Sequence, residues 1–442
     1  MKNTLLVFFD IANQRNSDIS LAAGSLLAYA KGHPAYGLEF EVEYHSFKFS
    51  ENDRPHTEEM VEELAAGYNL VNLSSIALGC YAWAEDRINS IMELLRKKGF
   101  AGDFILGGYQ IQSSFPLELQ YPLARYFIVG PGEVSLVRAV LECPQKAVLE
   151  DTVKFETLPS PYLSGIIPLE QGQTMVRMET QRGCSRRCSF CMYHGQIRKI
   201  SPFSLDRVKK ELQLFKATGV QKINILDPEF FHSGNPEHAL TILKLVHELE
   251  IQAQISVQVR FEPLASLQGE EFLDLCQGLN VQLEFGLQTI HKEEYKAIKR
   301  TNNLEKVEQV LSQLEARKIA YEVTLIYGLP LQTPKSFKQS IEFLKTRGCQ
   351  RIFSYPLMLF RGTGLSEKRT QYGLKEDKED GYGIPFVTSS HSFTFQDWKE
   401  MENIATQTAP SEKSPSQWQR ISSDLTSRFN TSKRLGSNPQ PL

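Results

Sequence analysis

Short apolar segments alternate with amphipathic, helix-like segments along the first third of the chain. Short apolar runs are typical of strands buried on both faces of a parallel sheet, and the amphipathic segments between them are typical of helices that cover such a sheet. The alternation predicts an α/β domain over residues 1–150 with a doubly wound, Rossmann-like sheet. The strand-like segments are 5–9, 40–45, 76–80, 104–106 and 126–129, and the helical ones are 19–31, 58–66, 87–98 and 133–141.

A second alternating region follows a linker predicted at residues 151–169. Strand–helix units repeat six times over residues 170–366, which predicts a partial (β/α)6 TIM-type barrel. In such barrels the reactive loops follow the carboxyl ends of the strands, so residues just after each strand are the candidates for chemistry. The strands are predicted near residue 175 and at 223–226, 254–259, 281–285, 321–326 and 352–355.

The regular pattern ends near residue 367. We predict a C-terminal extension over residues 367–405, with a charged loop at 375–380 and one short helix at 393–404. Residues 406–442 are rich in Ser, Thr, Gln, Asn, Pro and Lys, a composition typical of a disordered tail.

Composition narrows the classes of partner. The 442 residues are 41% hydrophobic and 23% charged, and a net charge of −3 gives no electrostatic basis for binding nucleic acid or an anionic membrane. The apolar run at 5–9 is too short for a signal peptide or a membrane span. We therefore expect a cytoplasmic, soluble protein without nucleic-acid or membrane partners. Cys80, Cys143, Cys276 and Cys349 are scattered singly, which indicates no disulfide framework.

The most specific motif is a CxxxCxxC triplet formed by Cys184, Cys188 and Cys191. Three thiolates at this spacing can hold three irons of a [4Fe-4S] cluster and leave the fourth iron open to a small molecule. A structural zinc site with His194 as fourth ligand is the alternative. Zinc sites usually occur as paired CxxC or Cys/His sets in a small knuckle, however, and not in a long repeating domain.

The triplet resembles the motif of the radical S-adenosylmethionine (SAM) superfamily, because an aromatic residue, Phe190, precedes the third cysteine and the strand-like run 174–178 precedes the triplet. The resemblance implies a [4Fe-4S] cluster whose open iron binds SAM and whose electron cleaves SAM to a 5′-deoxyadenosyl radical. It also implies an electron donor such as flavodoxin or ferredoxin. The cofactors carry the hard chemistry in such enzymes, and the protein binds and orients them.

Further barrel residues follow from the same resemblance. The run after the second strand contains Asp227 and Glu229, near where relatives hold the SAM amine, and the fourth strand ends at Gln288, twelve residues before Arg300. In coproporphyrinogen-type relatives the matching glutamine and arginine contact the methionine part of SAM, and a guanidinium suits that carboxylate.

Two more positions complete the expected SAM site. Gly328, in the turn after the fifth strand, is expected to allow backbone to lie against the adenine. Arg260, after the third strand, stands where some relatives have a glutamate, so it is included as a weaker candidate. The turn beginning at Arg361 needs no role beyond that of a turn.

The N-terminal domain resembles the cobalamin-binding domain that precedes the radical SAM domain in many such enzymes. Three segments at predicted strand ends support this resemblance: 78–83, 105–109 and 129–133. Glycines there fit backbone that passes close to a ligand at the carboxyl edge of the sheet, although they would also fit the ordinary turns of a flavodoxin-like sheet. The D-x-H-x-x-G motif that supplies a cobalt-ligating histidine is absent, so no cobalt ligand is predicted. The implied cofactor-binding residues are Tyr81, Trp83, Gly107, Gly108, Gly130, Gly132 and Glu133.

Together the two resemblances imply a cobalamin-dependent radical SAM methyltransferase that acts on an unactivated carbon of a small molecule or peptide. One alternative is a cobalamin-independent radical SAM enzyme for rearrangement, cyclisation or carbon–sulfur chemistry. A methylthiotransferase fits less well, because that class has extra cysteines in the first domain. The remaining alternative is a non-catalytic iron–sulfur or zinc protein.

Overall fold

The computed structural model describes residues 1–11, 18–49, 55–193, 197, 199–377 and 384–410. The predicted tail therefore lies outside the described residues from 411 onwards, as does His194. The strands are β1 Lys2–Ile11, β2 Phe40–Phe49, β3 Ser75–Gly79, β4 Asp103–Gly107, β5 Ala124–Ile128, β6 Val148–Leu149, β7 Val176–Met178, β8 Gln181–Arg182, β9 Ser201–Pro202, β10 Lys222–Ile225, β11 Gln254–Val259, β12 Val281–Gln288, β13 Ala320–Tyr327, β14 Ile352–Pro356, β15 Lys375–Asp377 and β16 Phe386–Ser389.

The helices connect and cover these strands. They are α1 Leu21–Lys31, α2 Thr57–Gly67, α3 Ile88–Lys97, α4 Leu117–Gln120, α5 Glu133–Glu142, α6 Leu205–Ala217, α7 Pro236–Glu248, α8 Phe261–Leu264, α9 Leu267–Gln277, α10 Lys292–Ala297, α11 Leu304–Arg317, α12 Pro334–Lys345, α13 Gly364–Glu367, α14 Arg369–Tyr372 and α15 Phe395–Thr408. Among the described residues no helix is long and apolar enough to cross a membrane.

The N-terminal sheet is parallel, with strand order β2-β1-β3-β4-β5-β6. Because side chains alternate across a strand, β1 buries Leu5 and Val7 on one face and Leu6 and Phe8 on the other. The first pair packs in a core that includes residues of α2 and α3, and the second in a core that includes residues of α1 and α5. Helices on both faces confirm the predicted doubly wound α/β architecture.

The second sheet contains six parallel strands in the order β14-β13-β12-β11-β10-β7. Its strands follow one another in sequence with helices between them, which confirms the predicted partial barrel. Several of these helices begin at a residue whose side chain accepts a hydrogen bond from a backbone amide in the first turn. The residues are Ser204, Ser266, Asn303 and Thr333. These caps fix where each loop at the carboxyl edge ends.

The C-terminal extension packs against the barrel. Its last helix, α15, starts and ends slightly later than the predicted 393–404. Two short strands, β15 and β16, form an antiparallel pair where the sequence predicts a loop that begins at residue 375. Trp398 of α15 is buried between Tyr327 and Phe386, at ring-centroid distances of 5.7 and 5.5 Å. The extension is therefore part of the folded core up to the end of α15.

Candidate active site

The cysteine triplet lies on the loop between β7 and α6, which β8 and β9 close as a short antiparallel pair. The Cys184 amide donates to the Ile197 carbonyl at 3.0 Å, and the Cys191 amide donates to the Cys188 carbonyl at 3.2 Å. All seven cysteines of the chain lie among the described residues, and none of them forms a disulfide. The fold thus places the three thiols on one loop at the carboxyl edge of the barrel.

The electrostatics of this loop suit a bound cation. Burial raises the pKa of Cys184, and Glu229, Cys188 and Cys191 nearby raise it further. A positive metal centre would relieve this repulsion between thiolates. In the part of the chain that the structure describes, no three His, Cys, Asp or Glu side chains already surround a common metal position. The donors therefore fit an iron–sulfur cluster in chemistry and spacing, without a preformed coordination geometry.

Ser189 ties the cysteine loop to two other parts of the chain. Its amide donates to the Ile298 carbonyl at 2.9 Å, and its carbonyl accepts from the Leu365 amide at 2.8 Å. Ile298 follows α10 and Leu365 lies in α13. The segment between Cys188 and Cys191 is thereby held against the barrel on both sides. Phe190, in the same segment, is partly buried against the main apolar core.

Asp227 is placed differently from the prediction. Its carboxylate is fully buried and accepts hydrogen bonds from the amides of Thr180 and Gln181 and from the Thr180 hydroxyl. Burial raises the pKa of Asp227 to about 7, although these hydrogen bonds act in the opposite direction. Both oxygens of this carboxylate are occupied by groups of the chain itself. Asp227 therefore joins the end of β10 to the start of the cysteine loop.

Glu229 is also paired within the chain. Arg186 donates to both of its carboxylate oxygens, at 2.7 and 2.9 Å, and forms a bidentate ion pair. In sequence, Arg186 lies between Cys184 and Cys188. Gln181 reaches the same loop from β8, because its Nε2 donates to the Glu229 carbonyl at 3.2 Å. The predicted SAM-amine loop is therefore held against the cysteine loop.

Gln288 stays a strong ligand candidate. It ends β12 in the left-handed region, with φ of 70°, next to an irregularity in the pairing with β13. Its Oε1 is buried without a hydrogen-bond partner. A buried acceptor without a partner is costly unless a ligand satisfies it.

Arg300 and Arg260 are both buried, and both guanidinium groups have partners within the chain. Arg300 donates to the Gly286 carbonyl, and its Nη1 lies 3.7 Å from the Cys188 sulfur. Arg260 pairs with Glu262 at 3.2 Å and donates to the Thr301 carbonyl at 2.8 Å, so it braces the loop that carries Arg300.

Gly328 lies against the C-terminal extension. Its φ is +84°, and a Cβ added there would lie 3.2 Å from the Val387 carbonyl oxygen and 3.5 Å from the Trp398 ring. The C-terminal extension thus packs on the Cβ side of Gly328. The glycine is needed for close packing of the chain against itself.

A cavity of about 290 Å³ opens at the carboxyl edge of the N-terminal sheet. Glycines from three strand ends line it, in the segments that the sequence indicates: Gly79, Gly107, Gly108, Gly130 and Gly132. An added Cβ at Gly130 would meet nothing within 4 Å, which leaves the backbone open to a ligand. Tyr81 and Glu133 also line the cavity, whereas Trp83 lies behind Tyr81. The Trp83 ring stacks on Tyr81 at 4.9 Å and its indole donates to the Phe9 carbonyl at 2.6 Å, so Trp83 supports the wall.

The opposite wall of this cavity comes from the cysteine loop. Glu179, Arg182 and Tyr193 line it there, and the Tyr193 hydroxyl accepts from the Gly183 amide at 3.0 Å. Tyr109 lies across from Tyr193 with ring centroids 6.4 Å apart. Sequence reasoning missed Glu179, Arg182 and Tyr193 as lining residues, whereas Tyr109 lies in the segment 105–109 that it indicated. The position of Arg182, directly before Gly183 and Cys184, was the one available signal.

Two ion pairs join the domains. Arg182 donates from Nη1 to Glu133 at 2.6 Å and from Nε to Glu179 at 2.9 Å. Arg361, predicted as a simple turn residue, pairs with Glu85 and donates to the Gln110 carbonyl at 3.3 Å. The N-terminal cavity and the cysteine loop are thereby held face to face.

Sequence comparisons relate the cysteine-containing region of the chain to a known family. Residues 178–344 match the family model of the radical SAM superfamily. The chain is 22% identical over 401 residues to 2-(S-pantetheinyl)-carbapenam-3-carboxylate methyltransferase of Streptantibioticus cattleyicolor, covering 81% of this chain and 56% of that relative. It is 20% identical over 311 residues to ribosomal protein uS12 methylthiotransferase RimO of Protochlamydia amoebophila, covering 67% of this chain and 64% of that relative. The chain thus spans about three-fifths of the length of these curated relatives.

The fold is similar to a solved structure over nearly its whole length. That structure is the radical SAM methyltransferase TsrM from Kitasatospora setae, with cobalamin and a [4Fe-4S] cluster bound. The TM-score is 0.67 at 15% identity, and the match covers 93% of this chain and 90% of that one. The likeness therefore includes both domains.

Proposed function

Because residues 178–344 match the family model of the radical SAM superfamily, we propose that this chain is a cobalamin-dependent radical SAM methyltransferase acting on an unactivated carbon. The proposed cofactors are a [4Fe-4S] cluster held by Cys184, Cys188 and Cys191, SAM, and cobalamin. When bound, the cluster and SAM supply the radical that removes a substrate hydrogen, and cobalamin supplies the methyl group.

One observation carries the proposal: the cysteine loop itself lines one side of the N-terminal cavity. Gly107 and Gly130 form one wall, and Arg182 and Tyr193 form the other. A flat cofactor that enters from the N-terminal sheet would therefore lie against the cysteine loop. An ordinary flavodoxin-like sheet whose glycines serve only as turns gives no reason for this juxtaposition.

The residues of the chain have distinct roles in this proposal. The apolar lining from Phe8, Leu26 and Ile105 excludes water from the reacting groups. Gln288 offers its unpartnered Oε1 to the amine end of SAM. Among the described residues no histidine lines the cavity, and backbone and aromatic groups of the lining would hold cobalamin there.

The likeness to a methylthiotransferase does not favour that activity here. An additional iron–sulfur cluster in the first domain would need about three further cysteines. Before the triplet the sequence contains only Cys80 and Cys143. Cys80 is buried against the Tyr121 hydroxyl at 3.5 Å, and burial raises the pKa of its thiol to about 12. Such a thiol is a poor metal ligand at neutral pH.

The proposal is tested by narrowing the cavity without touching the cysteine loop. Gly107 has an ordinary φ, and an added Cβ would meet only Ile128 at 3.6 Å, so Gly107→Val fits the backbone while it fills cavity space. We expect hydroxocobalamin to bind the anoxically reconstituted protein and Gly107→Val to weaken binding at least tenfold with an unchanged iron content. The matched control is Gly67→Val, because an added Cβ there meets nothing within 4 Å and Gly67 ends α2 away from the cavity.

The outcomes separate the rival functions. Corrin binding that Gly107→Val leaves unchanged would contradict this location for cobalamin. An iron-loaded protein that binds no corrin would instead favour cobalamin-independent radical chemistry. The substrate is proposed to be a small molecule or a peptide, and the electron donor a flavodoxin- or ferredoxin-type protein.

A further inference from the structure

We infer that Arg300 tunes the cluster by a direct hydrogen bond to the Cys188 sulfur and makes reduction of the cluster more favourable. This inference rests on the proposed function, because it requires the cluster. It assigns Arg300 a positioning and tuning role in addition to the predicted contact with SAM. The role acts through one of the three cluster cysteines.

The contact itself is well defined. Nη1 of Arg300 lies 3.7 Å from the Cys188 sulfur, within hydrogen-bond distance for a sulfur acceptor. Nη2 donates to the Gly286 carbonyl, which fixes the plane of the guanidinium. Both Arg300 and Cys188 are about nine-tenths buried, so water does not compete for this contact.

Both partners are held by independent backbone contacts. The Arg300 amide donates to the Tyr295 carbonyl at 2.8 Å, and Arg260 holds the next carbonyl, that of Thr301. On the other side, Ser189 binds the backbone at Ile298, two residues before Arg300. The approach of Arg300 to Cys188 is therefore a consequence of the way the two loops are joined.

The charge on Arg300 is not neutralised by a close partner. Among the described residues no carboxylate lies within 4.0 Å of its guanidinium, whereas the neighbouring Arg260 has Glu262. A cation in low-dielectric surroundings interacts strongly with a charge that develops beside it. Donors to cluster sulfurs are among the features that set iron–sulfur reduction potentials.

The redox step is a simple one-electron reduction. One electron passes from a flavodoxin- or ferredoxin-type donor to the cluster, whose charge falls from 2+ to 1+, and no bond of the chain forms or breaks. The added negative charge is shared by the cysteine sulfurs. Arg300 stabilises the reduced state more than the oxidised state, because its N–H donates toward that sulfur.

The experiment is a redox titration of the full-length, anoxically reconstituted protein, with dithionite and mediator dyes and without SAM. The reduced cluster is followed by electron paramagnetic resonance. We expect Arg300→Gln to make reduction at least tenfold less favourable, a shift of about 59 mV to lower potential for a one-electron couple. Arg300→Lys keeps the charge but loses the guanidinium geometry, and we expect an intermediate shift.

The matched control is Arg187→Gln, because Arg187 is exposed and stands directly before Cys188 in the chain. We expect its potential to stay within a few millivolts of the wild type, since surface charge is screened. Equal shifts in Arg187→Gln and Arg300→Gln would overturn the inference in favour of general electrostatics. An unchanged potential in a cluster-loaded Arg300→Gln protein would also overturn it and leave the proposed function intact. A wild type that assembles no cluster would overturn both.

A second measurement needs no variant that could fail to fold. Wild-type protein with ¹⁵N-labelled arginine is reduced and examined by pulsed electron paramagnetic resonance. We expect a weak ¹⁵N coupling from a guanidinium nitrogen to the reduced cluster. Absence of this coupling would show that Arg300 does not contact Cys188 in the loaded protein.

Discussion

Glu133 and Arg182 form a buried ion pair across the boundary between the two domains, with 2.6 Å between Oε1 and Nη1. Glu133 begins α5 at the edge of the N-terminal sheet, and Arg182 lies in the cysteine loop, two residues before Cys184. Ser25 of α1 donates to the same carboxylate oxygen at 2.9 Å. This contact therefore helps to set the distance between the proposed cobalamin site and the proposed cluster site, together with the Arg361–Glu85 pair.

Glu133→Gln tests the contribution of this pair to stability. We expect a loss of about 3 kcal/mol in the free energy of unfolding at pH 7. This value is at the lower end of the range for breaking a buried ion pair, because Glu179 still pairs with Arg182 in the variant. Urea unfolding followed by circular dichroism measures the loss. The control is Asp103→Asn, which breaks the exposed pair with Arg125 and is expected to cost less than about 1 kcal/mol. Equal losses would contradict a special role for Glu133.

The same pair predicts a pH dependence. Burial alone would raise the pKa of Glu133, but Arg182 and Ser25 outweigh it and hold the pKa below its usual value. A depressed folded-state pKa stabilises the protein above the unfolded value of about 4.3, and this stabilisation is lost as the pH falls. The difference in unfolding free energy between wild type and Glu133→Gln should therefore shrink below about pH 4.5. A difference that stays constant from pH 7 to pH 3.5 would contradict this assignment.

Asp227 predicts the opposite pH dependence of stability from that of Glu133. Its folded-state pKa of about 7 lies above the unfolded value of about 3.9, so the wild type binds more protons when folded and loses stability as the pH rises. Relative to Asp227→Asn, we expect the wild type to lose about 1.4 kcal/mol per pH unit between pH 4 and pH 7 and no more above that range. Chemical denaturation of both proteins across pH 4.5–8 measures this slope. A flat difference would indicate that Asp227 is ionised throughout.

Each of the three cysteines of the triplet is expected to be essential. Cys184→Ala, Cys188→Ala and Cys191→Ala should each abolish cleavage of SAM and lower the iron content of the reconstituted protein. Cys276→Ala is the control, because Cys276 is buried in α9 away from the loop and should leave both properties unchanged. Equal loss in all four variants would indicate general instability and would remove support for the cluster assignment.

The C-terminal extension predicts a stability effect that its sequence does not suggest. Trp398 is almost completely buried against Tyr327, and its ring also covers Gly328. We expect Trp398→Ala to cost about 3–5 kcal/mol of unfolding free energy, typical of a large core residue. Phe395→Ala, one turn earlier and partly exposed, should cost less than half as much in the same measurement. Similar small losses would mean that the extension is only loosely attached.

The alternation of strands and helices could be predicted because buried parallel strands and the helices that cover them leave a local pattern. The strand β1, for example, is buried on both faces and needs apolar residues on both, and residues 5–9 show this pattern directly. The glycines at the sheet edge could be placed for the same reason, since strand ends of a parallel sheet share one edge. The cysteine triplet needed only its own spacing.

Contacts between distant segments could not be predicted. The Arg182–Glu133 pair joins residues 49 positions apart in different domains, and neither neighbourhood indicates the other. For Gly328, the sequence indicated a turn where backbone can approach another group closely, but it did not indicate that Trp398 packs on the Cβ side of this glycine. For Asp227, the sequence showed a carboxylate at a strand end but not the Thr180 and Gln181 amides that occupy it.

The most direct test of the proposed function is the metal and corrin content of the full-length protein, reconstituted without oxygen with iron, sulfide and hydroxocobalamin and then freed of excess reagents. We predict about four irons, about four sulfides and one corrin per chain, with all of the iron lost when Cys188 is replaced by alanine. Zinc in place of iron, or iron without any corrin, would contradict the account.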